Sequence, residues 1–310
     1  MGARVKVACA NPAGACYGVV RALELTSKAI DSEQNVSTFG EIIHNPIVVN
    51  DFSSRGVSVI KSPAEACGTV VLRSHGVKPS VEREIEKHAK VIDATCPYVK
   101  KAQLSAKNLG ERHELVIVVG EEGHPEVEAI VEYAKQGATK VVLVPDVDNL
   151  PDSYPHSVGI VSQTTQSEET FSKIVREVKK RMNVEQKQLF SPEGSQNLEI
   201  KNTICNATKE RQEAALDLSA KANVMIVLGG KKSANTRRLF ELCQEKCKHC
   251  FHIESMVEFD ALVDYIRKIL CENFASEFLI GITAGASTPA SQIDELESFL
   301  DKKFVASESV

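Results

Sequence analysis

Three cysteines, Cys16, Cys96 and Cys205, each stand 24 residues ahead of a glycine (Gly40, Gly120 and Gly229), and this equal spacing constrains the fold more than any other feature of the chain. An internal repeat restricts architecture because every copy must build the same kind of small unit. Each cysteine is followed by a stretch with helical spacing of apolar residues, at 17–30, 97–109 and 206–221, and then by an apolar run that ends at the glycine. Four residues past the glycines stand His44, His124 and Ser233, in polar loops (HNPIVVNDF, HPEVEAIVEY, SANTRRLFEL) that open a further helix. A second set of strands, VVLRSHG, GIVSQTT and IGITAGAST, turns abruptly from apolar to polar. Strands alternating with helices predict parallel sheets, whose ligand sites gather in the loops at the carboxyl ends of strands.

The first two copies each finish with an apolar run that feeds the next cysteine, VIDATC and LEIKNTIC, whereas the third ends in a helix over 289–300. The strand over 5–10, which leads into Cys16, is expected to fill the missing place. The chain is therefore read as three similar α/β domains with small parallel sheets about a pseudo-three-fold axis. Their limits are 16–95, 96–203, and 204–310 together with the N-terminal strand segment 1–15.

Composition narrows the function. A formal charge of −5 lacks the basic excess that binding a phosphate backbone requires, so no nucleic-acid partner is expected. With 43% hydrophobic and 25% charged residues, and no apolar stretch of about 18 residues, the chain reads as a cytoplasmic globular protein without a membrane partner. Nine cysteines, an odd number without a framework of short spacings, read as thiols or metal ligands rather than disulfides.

Three cysteines at one address in three repeats would converge on a common centre, and each lies at a helix start, where the macrodipole and unbonded N–H groups favour thiolate. Such a set suits zinc with an open position or a [4Fe-4S] cluster with one uncovered iron. Cys9, Cys67, Cys243, Cys247, Cys250 and Cys271 are read as ordinary thiols. Cys247 and Cys250, with Cys243 and His252, mimic a zinc cluster, but Cys243 and Cys247 are expected within a helix and the ligand set is incomplete. The polar loops supply His44, His75, His124, Thr164, Ser233, Asn235 and Ser287, a set of imidazole, hydroxyl and amide groups near helix starts that forms an anion trap suited to a diphosphate. Glu126 is the one carboxylate at these matched addresses; it either holds and relays a proton or is a first-turn acid facing a helix dipole. No phosphate-binding GxxxxGK loop, GxGxxG fingerprint or HExxH motif occurs.

The ordered motifs ANPAGACYGVVRA, GEIIHNPIVV, RSHGV, DATCPYV, GHPEVE, SQTTQS, NATKERQEA, GGKKSANTRRL and TAGASTP run nearly end to end, and in them the chain resembles the LytB or IspH family of 4-hydroxy-3-methylbut-2-enyl diphosphate reductases. The resemblance implies a monomeric trefoil of three domains around a [4Fe-4S] cluster on Cys16, Cys96 and Cys205. It further implies reduction of (E)-4-hydroxy-3-methylbut-2-enyl diphosphate to isopentenyl and dimethylallyl diphosphates, the last step of the methylerythritol phosphate route, with electrons from ferredoxin or flavodoxin. His44, His75, His124, Thr164, Ser233, Asn235 and Ser287 match the family's substrate-binding positions, and Glu126 its proton donor, with Thr164 and His124 in the relay. Ala234 departs from the pattern, because the family commonly carries a second serine there. A redox-neutral [4Fe-4S] hydro-lyase and a non-catalytic metal or redox sensor are the rival readings.

Overall fold

Short apolar runs closed by polar loops become buried strands when helices cover both sheet faces, because alternate side chains then enter two separate cores. The structure, a computed structural model, describes residues 4–184, 197–272 and 276–305. It opens with β1 (Arg4–Cys9) and continues through α1 (Tyr17–Ser32), β2 (Val36–Phe39), α2 (Pro46–Ser54), β3 (Ser58–Ile60), β4 (Thr69–Leu72), α3 (Pro79–Ile85) and β5 (Lys90–Asp93). The second copy comprises α4 (Pro97–Gly110), β6 (Leu115–Val119), α5 (Pro125–Ala134), β7 (Lys140–Val144), β8 (Ser157–Ser162), α6 (Glu168–Arg181) and β9 (Asn197–Lys201). The third comprises α7 (Asn206–Ser219), β10 (Val224–Leu228), α8 (Ala234–Lys246), β11 (Cys250–Ile253), α9 (Met256–Asp260), α10 (Val263–Cys271), β12 (Glu277–Ala284) and α11 (Ala290–Leu300), closed by a π-helical turn Asp301–Val305.

These strands form three four-stranded parallel sheets of one topology, ordered β3-β2-β4-β5, β7-β6-β8-β9 and β11-β10-β12-β1. The N-terminal strand takes the third sheet's vacant edge, with Arg4 opposite Glu277 and Cys9 opposite Ile282. The edge strands β3, β7 and β11 were not part of the sequence reading. Their role is the same in every copy: the N–H of Gly40, Gly120 and Gly229 donates to the carbonyl of Ile60, Val144 and Ile253 at 2.9, 3.3 and 2.9 Å.

The alternation is plain in β6. Leu115, Ile117 and Val119 pack with Phe171, Ile174 and Val178 of α6. Val116 and Val118 pack on the other face with Ala102, Ala106 and Leu109 of α4 and Ile130 of α5. In β10, Val224, Ile226 and Leu228 meet Phe259, Ile266 and Leu296, while Met225 and Val227 meet Ala215, Leu239 and Cys243. Burying one such side chain contributes about 1.5 to 3 kcal/mol, so the two central strands anchor their units.

The chain divides into two compact units, one of Met1–Tyr17, His44–Val48 and Asn206–Val310, the other of Gly18–Ile43 and Val49–Cys205. The His44–Val48 loop keeps company with the third sheet because Asn45 Nδ2 donates to the Ser287 carbonyl (3.0 Å) and Ser287 Oγ to the His44 carbonyl (3.2 Å). Among the described residues, no helix is long and apolar enough to cross a membrane.

Candidate active site

The three cysteines occupy the same backbone address. Each lies just before the first residue of its helix, and each donates its N–H to the carbonyl two residues beyond the preceding parallel strand. The pairs are Cys16 to Ala286 (3.1 Å), Cys96 to Ser74 (2.9 Å) and Cys205 to Thr164 (3.1 Å). α1, α4 and α7 thus start at the carboxyl ends of β12, β4 and β8. Gly18, in the first turn of α1, is required by Cys96: a Cβ at position 18 would lie 2.4 Å from Cys96 Sγ.

The loops after the repeated glycines cap the next helices. Asn45 Oδ1 accepts from the N–H groups of Ile47 and Val48 (3.1 and 3.3 Å), His124 Nδ1 from that of Glu126 (3.1 Å), and Ser233 Oγ from that of Thr236 (3.3 Å). Pro46 and Pro125 stand at first helical positions, where a missing N–H costs nothing. Since Nδ1 of His124 is an acceptor, the neutral ring carries its proton on Nε2 and can donate from there.

The larger unit gathers His75, His124, Glu126 and Thr164. The rings of His75 and His124 meet edge to face at 5.5 Å. Glu126 is wholly buried, and its carboxyl takes two bonds from one residue: Thr164 N–H reaches Oε1 at 2.6 Å and Thr164 Oγ1 reaches Oε2 at 3.0 Å. Burial disfavours the charged form and pushes the Glu126 carboxyl from 4.5 up to about 7, although both bonds from Thr164 pull it down. Glu126 is therefore poised to exchange a proton near neutral pH, and Thr164 connects it to the Cys205 backbone.

The smaller unit gathers His44, Ser233, Ala234, Asn235 and Ser287. Gly230 lies so close to the His44 carbonyl that a Cβ there would come within 2.4 Å. Ser233, Ala234, Asn235 and Ser287 are buried. Neither amide atom of Asn235 has a hydrogen-bond partner among the described residues. An unpaired buried amide costs about 1 to 3 kcal/mol, which an anionic ligand at the α8 start would offset.

The family model described as LytB protein matches residues 7–301. The chain belongs to the LytB family. A LytB relative from Trichlorobacter lovleyi, named 4-hydroxy-3-methylbut-2-enyl diphosphate reductase, is 40% identical over 300 residues, spanning 96% of this chain and 98% of its own. One of the same name from Aquifex aeolicus is 38% identical over 298 residues, 95% of each. A solved (E)-4-hydroxy-3-methyl-but-2-enyl diphosphate reductase, described as the terminal enzyme of the non-mevalonate pathway, is similar with a TM-score of 0.66 at 34% identity, covering 97% of this chain and all of that one. The Plasmodium falciparum reductase shares the fold, with a TM-score of 0.80 at 24% identity over 97% of this chain and 89% of that one.

Sequence reasoning missed Asn45, Gly18 and Gly230, whose work is to hold loops and leave room. A polar residue before Pro46 was the available signal for the first; the close approaches of the glycines left none. The Cys243 group makes local contacts. Cys243 lies in α8, but Cys247 caps that helix rather than lying within it, and its Sγ donates to the Ala222 carbonyl at 3.4 Å. His252 Nε2 faces the Gly229 carbonyl at 2.8 Å, and burial pushes the Cys247 thiol up. Contact with Cys243, then burial, pushes the Cys250 thiol up as well.

Proposed function

We propose that this LytB chain reduces (E)-4-hydroxy-3-methylbut-2-enyl diphosphate to isopentenyl and dimethylallyl diphosphates, the last step of the methylerythritol phosphate route. The names of its full-length relatives support the activity. The observation that carries the reading in this chain is the buried Glu126 carboxyl, bonded twice to Thr164 and pushed by burial up to about 7.

Cys16, Cys96 and Cys205 would hold one [4Fe-4S] cluster, leaving one iron open. The residues fit it: three thiols of one backbone address, each at a helix start, with Gly18 keeping the space beside Cys96 Sγ clear. When bound, the cluster supplies single electrons and a Lewis-acidic iron for the substrate hydroxyl. Two electrons and two protons convert the allylic C–O bond into a C–H bond and water. Protonated Glu126 donates from Oε2 to Thr164 Oγ1, which turns its own hydrogen toward the substrate. His124 donates from Nε2. Ser233, Asn235, Ser287, His44 and His75 bind the diphosphate, and the Ala234 N–H adds a backbone donor at the start of α8. Ferredoxin or flavodoxin supplies the electrons to a cytoplasmic monomer, in our reading one of three domains, 16–95, 96–203 and 204–310 with 1–15.

Cysteine substitution tests the ligand set. In anaerobic preparations, Cys16→Ser, Cys96→Ser and Cys205→Ser should each lose stable iron, while Cys247→Ser and Cys250→Ser retain it. Loss of iron from Cys250→Ser with retention in Cys205→Ser would overturn the assignment.

A further inference from the structure

The start of α4 carries a surface that the reaction does not use. Val20 on α1 and Tyr98 and Leu104 on α4 keep 42%, 43% and 53% of their surface in solvent, a share that places large apolar side chains on the outside. Beside them runs a groove of about 530 Å³ lined by Arg21, Asp93, Lys100, Lys101 and Leu104. Pro97, Lys101, Leu104 and Asn108 recur at helical spacing, so one face of α4 forms the groove wall.

Its charge runs against that of the chain. Arg21 spends its hydrogen bonds on neutral carbonyls, those of Thr95 (3.2 Å) and Asp93 (3.3 Å). Lys101 is exposed and makes no ion pair among the described residues. Lys100 pairs with Asp93 at 2.8 Å and approaches Glu82 at 4.0 Å, so it offsets the groove's one carboxylate. Two cations remain uncompensated on a protein whose net charge is −5.

The groove is also close to Cys96. Pro97, the first residue of α4, follows that cysteine directly, and Gly18 of α1 packs on its Sγ. Leu104 lies eight residues beyond Cys96, about 12 Å of helix rise. An apolar centre with a cationic rim, beside a proposed cluster ligand, has the anatomy of a transient interface for an acidic partner.

We propose that the α1–α4 surface around Val20, Arg21, Tyr98, Lys101 and Leu104 docks the electron donor, a small acidic one-electron carrier protein of the ferredoxin type. This rests on Cys96 being a cluster ligand. Two reduced carriers dock in turn, and each is oxidised by one electron. Those two electrons, with two protons, reduce the substrate C–O bond to C–H and water. Opposite charges speed the encounter, and Val20, Tyr98 and Leu104 provide the apolar contact.

The test compares two reductants on the anaerobic holoenzyme: a reduced acidic ferredoxin, and dithionite-reduced methyl viologen, which needs no docking surface. Lys101→Glu should lower ferredoxin-driven kcat/KM about tenfold or more at low salt, within the range by which charge steers association. Its viologen-driven rate should stay within about twofold of the parent's. Calorimetric titration with oxidised ferredoxin should show the same loss of affinity, and Leu104→Gln should weaken binding with less salt dependence. Unchanged ferredoxin binding and rate in both variants would overturn the proposal, as would equal loss with both reductants. A parent protein without iron, inactive even with viologen, would instead overturn the cluster reading beneath it.

Discussion

Replacing Glu126 by Gln isolates the proposed proton donor. Gln has almost the same shape, and both contacts can persist: its carbonyl accepts from the Thr164 N–H, and its NH2 donates to Thr164 Oγ1 after that hydroxyl turns. The acidic proton is what disappears. A positioned general acid contributes about 100- to 10,000-fold, so viologen-driven turnover should fall by that factor while the cluster spectrum and substrate binding remain. The carboxyl's rise from 4.5 to about 7 adds a second signature. The folded state binds this proton more tightly than the unfolded one, so the associated stability is complete below the unfolded value and is lost as pH rises to about 7. At about 1.4 kcal/mol per pKa unit the loss is about 3 kcal/mol. Glu126→Gln should therefore be the more stable protein at pH 8 in anaerobic denaturant titration, with the difference shrinking toward pH 5. Wild-type turnover should fall as pH rises through about 7, where the acid form is depleted. Near-normal turnover of Glu126→Gln, or an identical pH dependence of stability in the two proteins, would refute the reasoning. A carboxylate serving only a helix dipole would give a stability change of under about 1 kcal/mol and intact turnover.

Asn235→Leu removes a buried amide that has no hydrogen-bond partner among the described residues, so the substrate-free protein should gain about 1 kcal/mol in anaerobic denaturation; substrate affinity should fall about tenfold or more through loss of a bond to a charged ligand. Gly18→Ala should reduce iron per chain, because its Cβ would press on Cys96 Sγ at 2.4 Å; full iron content would show that the cysteine can move aside. Ala234→Ser adds a hydroxyl at the start of α8, and titration should find substrate binding about two- to tenfold tighter.

The register of Cys16, Cys96 and Cys205 made the sheets legible, since spacing repeated three times outweighs the ambiguity of any single apolar run. It also gave β1 its place, because only the third copy lacked a final strand. The edge strands were harder: β3 has three residues, and β11 is half-buried and includes Cys250 and His252, which in sequence belong to a group that mimics a zinc cluster. Candidate residues at strand ends could be named by address, but their contacts could not. Glu126 and Thr164 are 38 residues apart, and nothing in either segment says that a carboxyl takes both donors of one threonine. Likewise, His44 stands in sequence with the first copy, yet its carbonyl is held by Ser287 beside the third sheet. Local pattern determines elements, whereas loop partnership depends on long-range packing that periodicity does not encode.

The most direct test of the whole account is anaerobic turnover of (E)-4-hydroxy-3-methylbut-2-enyl diphosphate by the purified holoprotein with dithionite-reduced methyl viologen. The products would be separated by chromatography and the iron counted in the same sample. The account predicts a brown protein with about four irons per chain that consumes about two viologen electrons per substrate and forms both isopentenyl and dimethylallyl diphosphates. A colourless zinc protein, or an iron-loaded one that leaves the substrate unreduced, would contradict it.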